Sequence, residues 1–282
     1  MTGREKLKPG IYIISLPIGN SKDITIRAIE TLEDVDEIYC EDTRVTRKIL
    51  SIYKIKKTLS VYHDHNGEKI RPKIIDKIKN SKSIGIVSDA GTPLISDPGY
   101  KLITLAKKEG LYVSASPGVS APITALTLSG APTDSFYFLG FLPTKNKSRE
   151  QILNDINPLK TSIIIFESTK KINKTLEDIH RILGDRNISI CREMTKKFEE
   201  IITGRVTEII NLIKESELKG EVSLVIYADK DKGIPDFNIE EIIRGYNEEY
   251  SPAILAKKIS DNTGIPKKTI YNKIISMKDK DQ

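Results

Sequence analysis

The stretch Ser88-Asp89-Ala90-Gly91-Thr92-Pro93-Leu94-Ile95-Ser96-Asp97-Pro98-Gly99 constrains this chain most. It follows the apolar run 83–87 and precedes an amphipathic run, 100–109. That order predicts a buried strand, a tight loop and a helix. Gly91 and Gly99 permit positive φ or close approach of a ligand to the backbone. Pro93 and Pro98 stiffen the path. In an open α/β sheet, ligands bind beyond the carboxyl ends of strands, where such loops lie. For the loop alone two readings stay open: a ligand-binding turn, or a plain βα connection held by prolines.

The same alternation extends over residues 9–116. Strands are predicted at 11–15, 37–40, 59–62, 83–87 and 112–116, and helices from Asp23 to 32, then at 44–53, 69–79 and 100–109. Asp23 is expected to cap the first helix. The pattern predicts a mostly parallel sheet with helices on both faces. Pro117-Gly118-Val119-Ser120 reads as a hinge, giving a first α/β domain over 1–117. A second, over 118–230, has helices at 120–128, 147–154, 169–183 and 206–213. Its strands are at 136–141, 162–166, 187–192, 199–203 and 222–227. Lys230 to Pro235 reads as a linker to a helical region, 231–282. There Ser251 caps one helix with Pro252 at its first position, Gly264 breaks the pattern, and Pro266 opens another. Ile270, Ile274 and Ile275 lie on its apolar face, a spacing like a helix-turn-helix.

The chain has 282 residues and a net charge of +6, which suits a polyanionic partner better than a cationic one. No run approaches the roughly 18 apolar residues of a membrane span. Cys40 and Cys191 are the two cysteines, too few for a disulfide framework or a cysteine-rich zinc site. No secretory h-region is visible at the start, so a cytoplasmic protein is expected.

Several stretches are candidates for chemistry. The first βα turn, Leu16-Pro17-Ile18-Gly19-Asn20, lacks Gly-x-Gly-x-x-Gly, and no P-loop occurs, so neither NAD binding nor nucleotide hydrolysis gains support. Tyr62-His63-Asp64-His65-Asn66 holds two of the three histidines. On an extended segment His63 and His65 share a face. Proton transfer, substrate contact and structural hydrogen bonding are all open to them; a metal needs further ligands that the pattern does not supply. Glu41-Asp42-Thr43-Arg44 sits at a strand-to-helix junction, where acids often cap. From Arg44 to Lys57 there are six basic residues and no acidic one. Such a run is a solvated face or a contact for a phosphate backbone. Lys145, Lys147, Arg149 and Lys160 form a second basic cluster. Glu167, Arg192-Glu193 and Glu221 each adjoin a strand of the second domain.

Taken in order, these segments match one family. They are Ser15-Leu16-Pro17-Ile18-Gly19-Asn20, Glu41-Asp42-Thr43-Arg44, His63-Asp64-His65-Asn66, the Val87–Gly99 stretch, Gly140-Phe141-Leu142-Pro143 and Phe166-Glu167-Ser168. Together the chain resembles the tetrapyrrole methylase superfamily over about residues 10–228, and within it the small-subunit ribosomal RNA methyltransferases.

The resemblance implies two α/β domains of tetrapyrrole methylase type with S-adenosyl-L-methionine in the cleft between them, plus a small helical C-terminal appendage. It implies 2′-O-ribose methylation of a cytidine in the decoding region of 16S rRNA, and a homodimer. By position, the cofactor is expected at Pro17, Gly19, Asp89, Ala90, Gly91, Thr92, Pro93, Leu94, Ser120, Ala121, Phe166, Glu167 and Glu221. Methyl transfer to a hydroxyl needs positioning and a proton acceptor. His63, Asp64 and His65 are the first candidates, Glu41 and Asp42 the alternatives, with Asn66 or Arg44 orienting the ribose or its phosphate; no metal is needed. A tetrapyrrole or diphthamide-pathway substrate on the same fold is the rival reading.

Overall fold

A computed structural model describes residues 6–215, 218–229, 239–246, 250–263 and 267–278. The described residues up to 228, apart from 158–160, form one compact unit; the others form a second.

The first unit holds two sheets. One contains β1 (Gly10–Ile14), β2 (Glu37–Cys40), β3 (Leu59–Val61), β4 (Ser83–Ile86) and β5 (Tyr112–Ser116). All are parallel, in the order β3-β2-β4-β1-β5. They are joined by α1 (Ile26–Asp34), α2 (Thr43–Ile52), α3 (Gly67–Lys79) and α4 (Tyr100–Lys108). The chain steps one way from β1 to β3, then back through β4 to β5. Right-handed crossovers therefore put α1 and α2 on one face and α3 and α4 on the other. Side chains alternate accordingly. Tyr12 and Ile14 pack with Ala28, Leu32 and Leu50, whereas Ile11 packs with Ile74, Ile78 and Leu102.

Residues 117–120 lead into α5 (Ala121–Ser129). Next come β6 (Phe136–Phe141), α6 (Asn146–Ile156), β7 (Ser162–Ser168), α7 (Ile172–Leu183), β8 (Asn187–Arg192), β9 (Glu200–Arg205), α8 (Val206–Glu215) and β10 (Glu221–Ile226). The second sheet runs β6-β7-β10-β8-β9, with only β6 and β7 parallel. Ile164 faces α5, and Ile163 and Ile165 face α6 to α8, burying both sides.

Four local expectations change. Asp23 does not cap α1: it closes a 3₁₀ turn, Ser21–Asp23, and the cap is Thr25, whose hydroxyl accepts the Ala28 N–H at 3.1 Å. His63 to Asn66 form a turn rather than an extended segment, because backbone bonds close from Asn66 N–H to His63 O and from Gly67 N–H to Asp64 O. The helix expected from Thr169 starts at Ile172, because β7 continues to Ser168 in register with Glu221. Arg149 belongs to no basic surface. It is 5% exposed and its guanidinium binds Asp178 at 2.5 Å.

The second unit contains α9 (Ile239–Arg244), α10 (Pro252–Thr263) and α11 (Lys267–Lys278) around Ile243, Leu255, Ile259, Ile270 and Ile274. The Ser251 carbonyl accepts from Ile254 and Leu255, with Pro252 opening the helix. The linker 230–235, Gly264 and Pro266 lie outside the described residues. Among those described, no helix is long and apolar enough to cross a membrane.

Candidate active site

A cavity of about 430 Å³ opens where the β4–α4 loop meets the ends of β6, β7 and β10. One wall comes from the first sheet. Leu16 and Gly91 exchange two backbone hydrogen bonds of 2.8 and 3.0 Å, tying the β1 and β4 loops together. Gly91 has φ +70°, and a Cβ there would come within 3.2 Å of Ile18 Cγ2, itself a cavity wall. The Thr92 hydroxyl donates to the Val119 carbonyl at 2.8 Å and lies 3.2 Å from Ser15 Oγ, which fixes the start of α5 against the loop. Leu94 and Ser96 both have positive φ, at 73° and 64°. Such backbone is costly outside glycine and tends to gather at functional loops. It turns Ile95, Ser96 and Asp97 toward the cavity.

The facing wall belongs to the second sheet. Its aromatic part is Phe166, with Phe138 and Phe141 rings 5.0 and 5.4 Å away. Gly140 sits at a bulge in β6 with φ +69°, and a Cβ would stand 3.0 Å from Ser96 Oγ. Only glycine combines that backbone with so close an approach of the loop. Glu167, 6% exposed, accepts from the Ser168 N–H at 2.7 Å and the Thr175 hydroxyl at 2.6 Å. Glu221 is exposed and pairs with Lys196 at 3.0 Å.

The acids differ in what holds them. Asp97 is half-buried and its carboxyl is pushed up to about 6, by burial first and by repulsion from Glu41 and Asp89, against a lowering contact from the Ser88 hydroxyl. Asp89 is raised by burial, although its Oδ1 accepts the Asp42 N–H at 3.3 Å. Asp42 caps α2 and is held down near 2, chiefly by the Arg44 guanidinium and backbone.

Of the expected cofactor residues, Asp89, Ala90, Gly91, Thr92, Ser120, Ala121, Phe166, Glu167 and Glu221 line the cavity. Pro17, Gly19, Pro93 and Leu94 are not among its lining residues. Gly19 instead lets the β8–β9 loop close in: a Cβ would meet Lys196 Cγ at 2.5 Å and Thr195 Oγ1 at 2.8 Å. Leu94 packs under Gly99.

The structure does not bring His63, Asp64, His65, Asn66, Glu41 or Arg44 into the lining. The His63 and His65 rings do meet, edge to face at 5.7 Å. Yet Asn66 Oδ1 accepts the His63 N–H at 3.0 Å, and its amide donates to the Val61 carbonyl at 3.1 Å, so the turn satisfies itself. Among the described residues no group of three or more His, Cys, Asp or Glu is arranged to hold a metal ion. Asp97 and Met194 are lining residues that sequence reasoning passed over. For Asp97 the signal was present: it lies in the same Gly/Pro loop, past the half assigned to the cofactor.

Two α/β sheets thus close on a cavity at the strand ends. The family model described as Tetrapyrrole (Corrin/Porphyrin) Methylases matches residues 10–210, and the chain belongs to that family. Solved structures of the same fold include a cobalt precorrin-4 methyltransferase (TM-score 0.58, 17% identity, covering 78% of this chain and 95% of that one). A diphthine synthase scores 0.59 at 15% identity, covering 77% and 89%. More particularly, the chain is similar to curated proteins named ribosomal RNA small subunit methyltransferase I. That of Halalkalibacterium halodurans is 40% identical, covering 94% of each chain. That of Rickettsia prowazekii is 45% identical over 84% of this chain and 85% of the relative, and that of Bacillus subtilis 37% over 93% and 92%.

Proposed function

We propose that this protein transfers a methyl group from S-adenosyl-L-methionine to the 2′-oxygen of a cytidine ribose in 16S rRNA of the small ribosomal subunit. The substrate class rests on the relatives, whose names specify small-subunit ribosomal RNA and which the chain matches nearly end to end. The cofactor reading rests on the cavity. A uroporphyrin-III C-methyltransferase of this fold has been solved with S-adenosylhomocysteine (TM-score 0.55, 15% identity, covering 77% of this chain and 97% of that one). The cavity here suits such a ligand: Ile18, Phe166, Met194 and Val222 offer apolar surface for a base, and Asp89 and Glu221 offer carboxylates for a cationic group.

When bound, the cofactor supplies an electrophilic methyl carbon on a cationic sulfur. This chain's residues hold the partners in line and exclude water. The proton acceptor we propose is Asp97, in preference to His63, Asp64, His65 or Glu41. Among the lining acids Glu167 is engaged by Ser168 and Thr175, Glu221 by the Lys196 cation and Asp89 by the Asp42 N–H, whereas Asp97 has the Ser88 hydroxyl as its contact and is raised by burial. Asp97, poised near 6, is ionised at neutral pH and basic enough to take a hydroxyl proton as the oxygen attacks. The homodimer expected from the resemblance and the cytoplasmic location expected from the sequence belong to the same reading.

The test offers labelled cofactor together with assembled small subunits, naked 16S rRNA and a tetrapyrrole precursor, the subunits coming from cells lacking this protein. Label recovered as 2′-O-methylcytidine carries the proposal. Label in the tetrapyrrole alone keeps the fold and overturns the substrate.

A further inference from the structure

The groove behind α2 and the outer face of that helix have no part in the cavity. The groove is about 480 Å³ and is lined by Arg47, Ser51, Lys54, Lys56 and Lys57 with apolar Leu50, Ile55 and Leu59 at its base. On α2, Thr46 and Leu50 point inward, while Arg44, Arg47, Lys48 and Ser51 are exposed at helical spacing. Some basic side chains of the first unit are tied to acids: Lys77 to Glu37, Lys79 to Glu109, Lys82 to Asp36, Arg192 to Glu200. Here Arg47, Lys48, Lys54 and Lys56 have no ion pair with any described residue. Two members of the run are engaged within the fold: Lys57 donates to the Val35 carbonyl at 2.5 Å, and Arg44 pairs with Asp42 at 2.6 Å.

Lys54 is the informative member. It has φ 59°, just past the end of α2, where Ile55 N–H reaches back to the Leu50 carbonyl and Lys54 N–H to that of Ser51. A helix ending this way favours glycine at that position, and a side chain there is strained. A cation standing where the backbone prefers glycine points to use of the charge.

The position of the stripe supplies the rest. The helix begins beside the cavity, since Asp42 N–H, at its cap, donates to Asp89 Oδ1. From there α2 runs about 15 Å at 1.5 Å per residue before reaching Lys54. A strand placing one ribose at the cavity therefore has a line of unpaired cations beside its flanking phosphates. We propose that Arg47, Lys48, Lys54 and Lys56 form a track for the RNA phosphodiester backbone. The proposal rests on the RNA reading above and deepens it by naming where the substrate lies.

The experiment measures affinity of the full-length protein for assembled small subunits and for 16S rRNA across a potassium chloride series. It compares wild type, Arg47→Gln/Lys48→Gln, Lys54→Gly and the charge-keeping Arg47→Lys/Lys48→Arg. Each lost phosphate contact is expected to lower the slope of log affinity against log salt by about 1. The double variant thus drops by about 2 and Lys54→Gly by about 1, while the charge-keeping pair retains the wild-type slope. Lys54→Gly is also expected to melt no lower than wild type, so that weaker binding cannot be put down to misfolding. Unchanged slopes in all variants, with wild type binding well, overturn the track and leave the RNA reading standing. Absence of salt-dependent binding by wild type to either RNA overturns both.

Discussion

Two βα loops of the first sheet invite comparison: His63–Asn66 after β3, and Ser88–Gly99 after β4. Both leave the carboxyl end of a parallel strand, and both are rich in polar groups. β3 is the edge strand, while β4 is central, between β2 and β1, whose helices α2 and α1 leave on the face opposite α4. Clefts form where connections from neighbouring strands leave on opposite faces of the sheet. The edge loop accordingly closes on itself through Asn66, and its hydrogen bonds are spent on the turn. The central loop spends its backbone bonds on Leu16 and leaves Asp97 facing the cavity. Chemically suggestive residues matter less than the strand they follow.

The sharpest way to break this comparison is Asp97→Asn. With the acceptor removed, methyl transfer is expected to fall by about 10²-fold or more, with cofactor affinity retained in an equilibrium titration. His63→Ala is expected to leave turnover within the same order of magnitude. Should the two variants exchange these outcomes, the edge loop rather than the central one carries the chemistry.

Next in size is Gly91→Arg. Its backbone is in the left-handed region and its Cβ direction points at Ile18, so a long side chain fills the cavity. Loss of cofactor binding with an unchanged circular dichroism spectrum is the expected result. Retained binding would move the pocket elsewhere.

The pH dependence sharpens the role of Asp97. Its folded value of about 6 lies above the ordinary 3.8, so the folded protein holds the proton more tightly than the unfolded chain. The stability this group contributes is present below about pH 4 and is lost as pH rises to about 6. Asp97→Asn is therefore expected to be more stable than wild type at pH 7, by about 1 kcal/mol once solvent screening of a half-buried carboxyl is allowed for, with the gap closing in acid. Urea melts at pH 4 and 7 measure it. The pH profile of methyl transfer should rise through about 6 in wild type.

The smallest expected effect is that of Asn66→Ala, which removes the acceptor for His63 N–H and the donor to Val61. It is expected to lower stability by about 1–2 kcal/mol with little change in methyl transfer. A large loss of turnover at unchanged stability would reinstate the edge loop.

Short apolar runs and period-3.6 apolar spacing determined most of the architecture, because the central strands are buried on both faces and each helix buries one. The parallel first sheet and the helices on both its sides were legible. So was the Gly/Pro loop as the organising turn, since glycine and proline restrict backbone geometry locally. Local signals misled where two caps competed: Asp23 and Thr25 are both good caps, and only the 3₁₀ turn before α1 selects Thr25. They misled again at Arg149, where charge in the sequence does not reveal that Asp178 lies opposite. The site itself depends on long-range contacts. Residues 166–168 and 221–223 face 89–97 only because β7 pairs with β10 and a bulge at Gly140 admits Ser96. Strand order, which no local spacing encodes, decided that the acid after the central strand faces the cavity and the histidines after the edge strand do not.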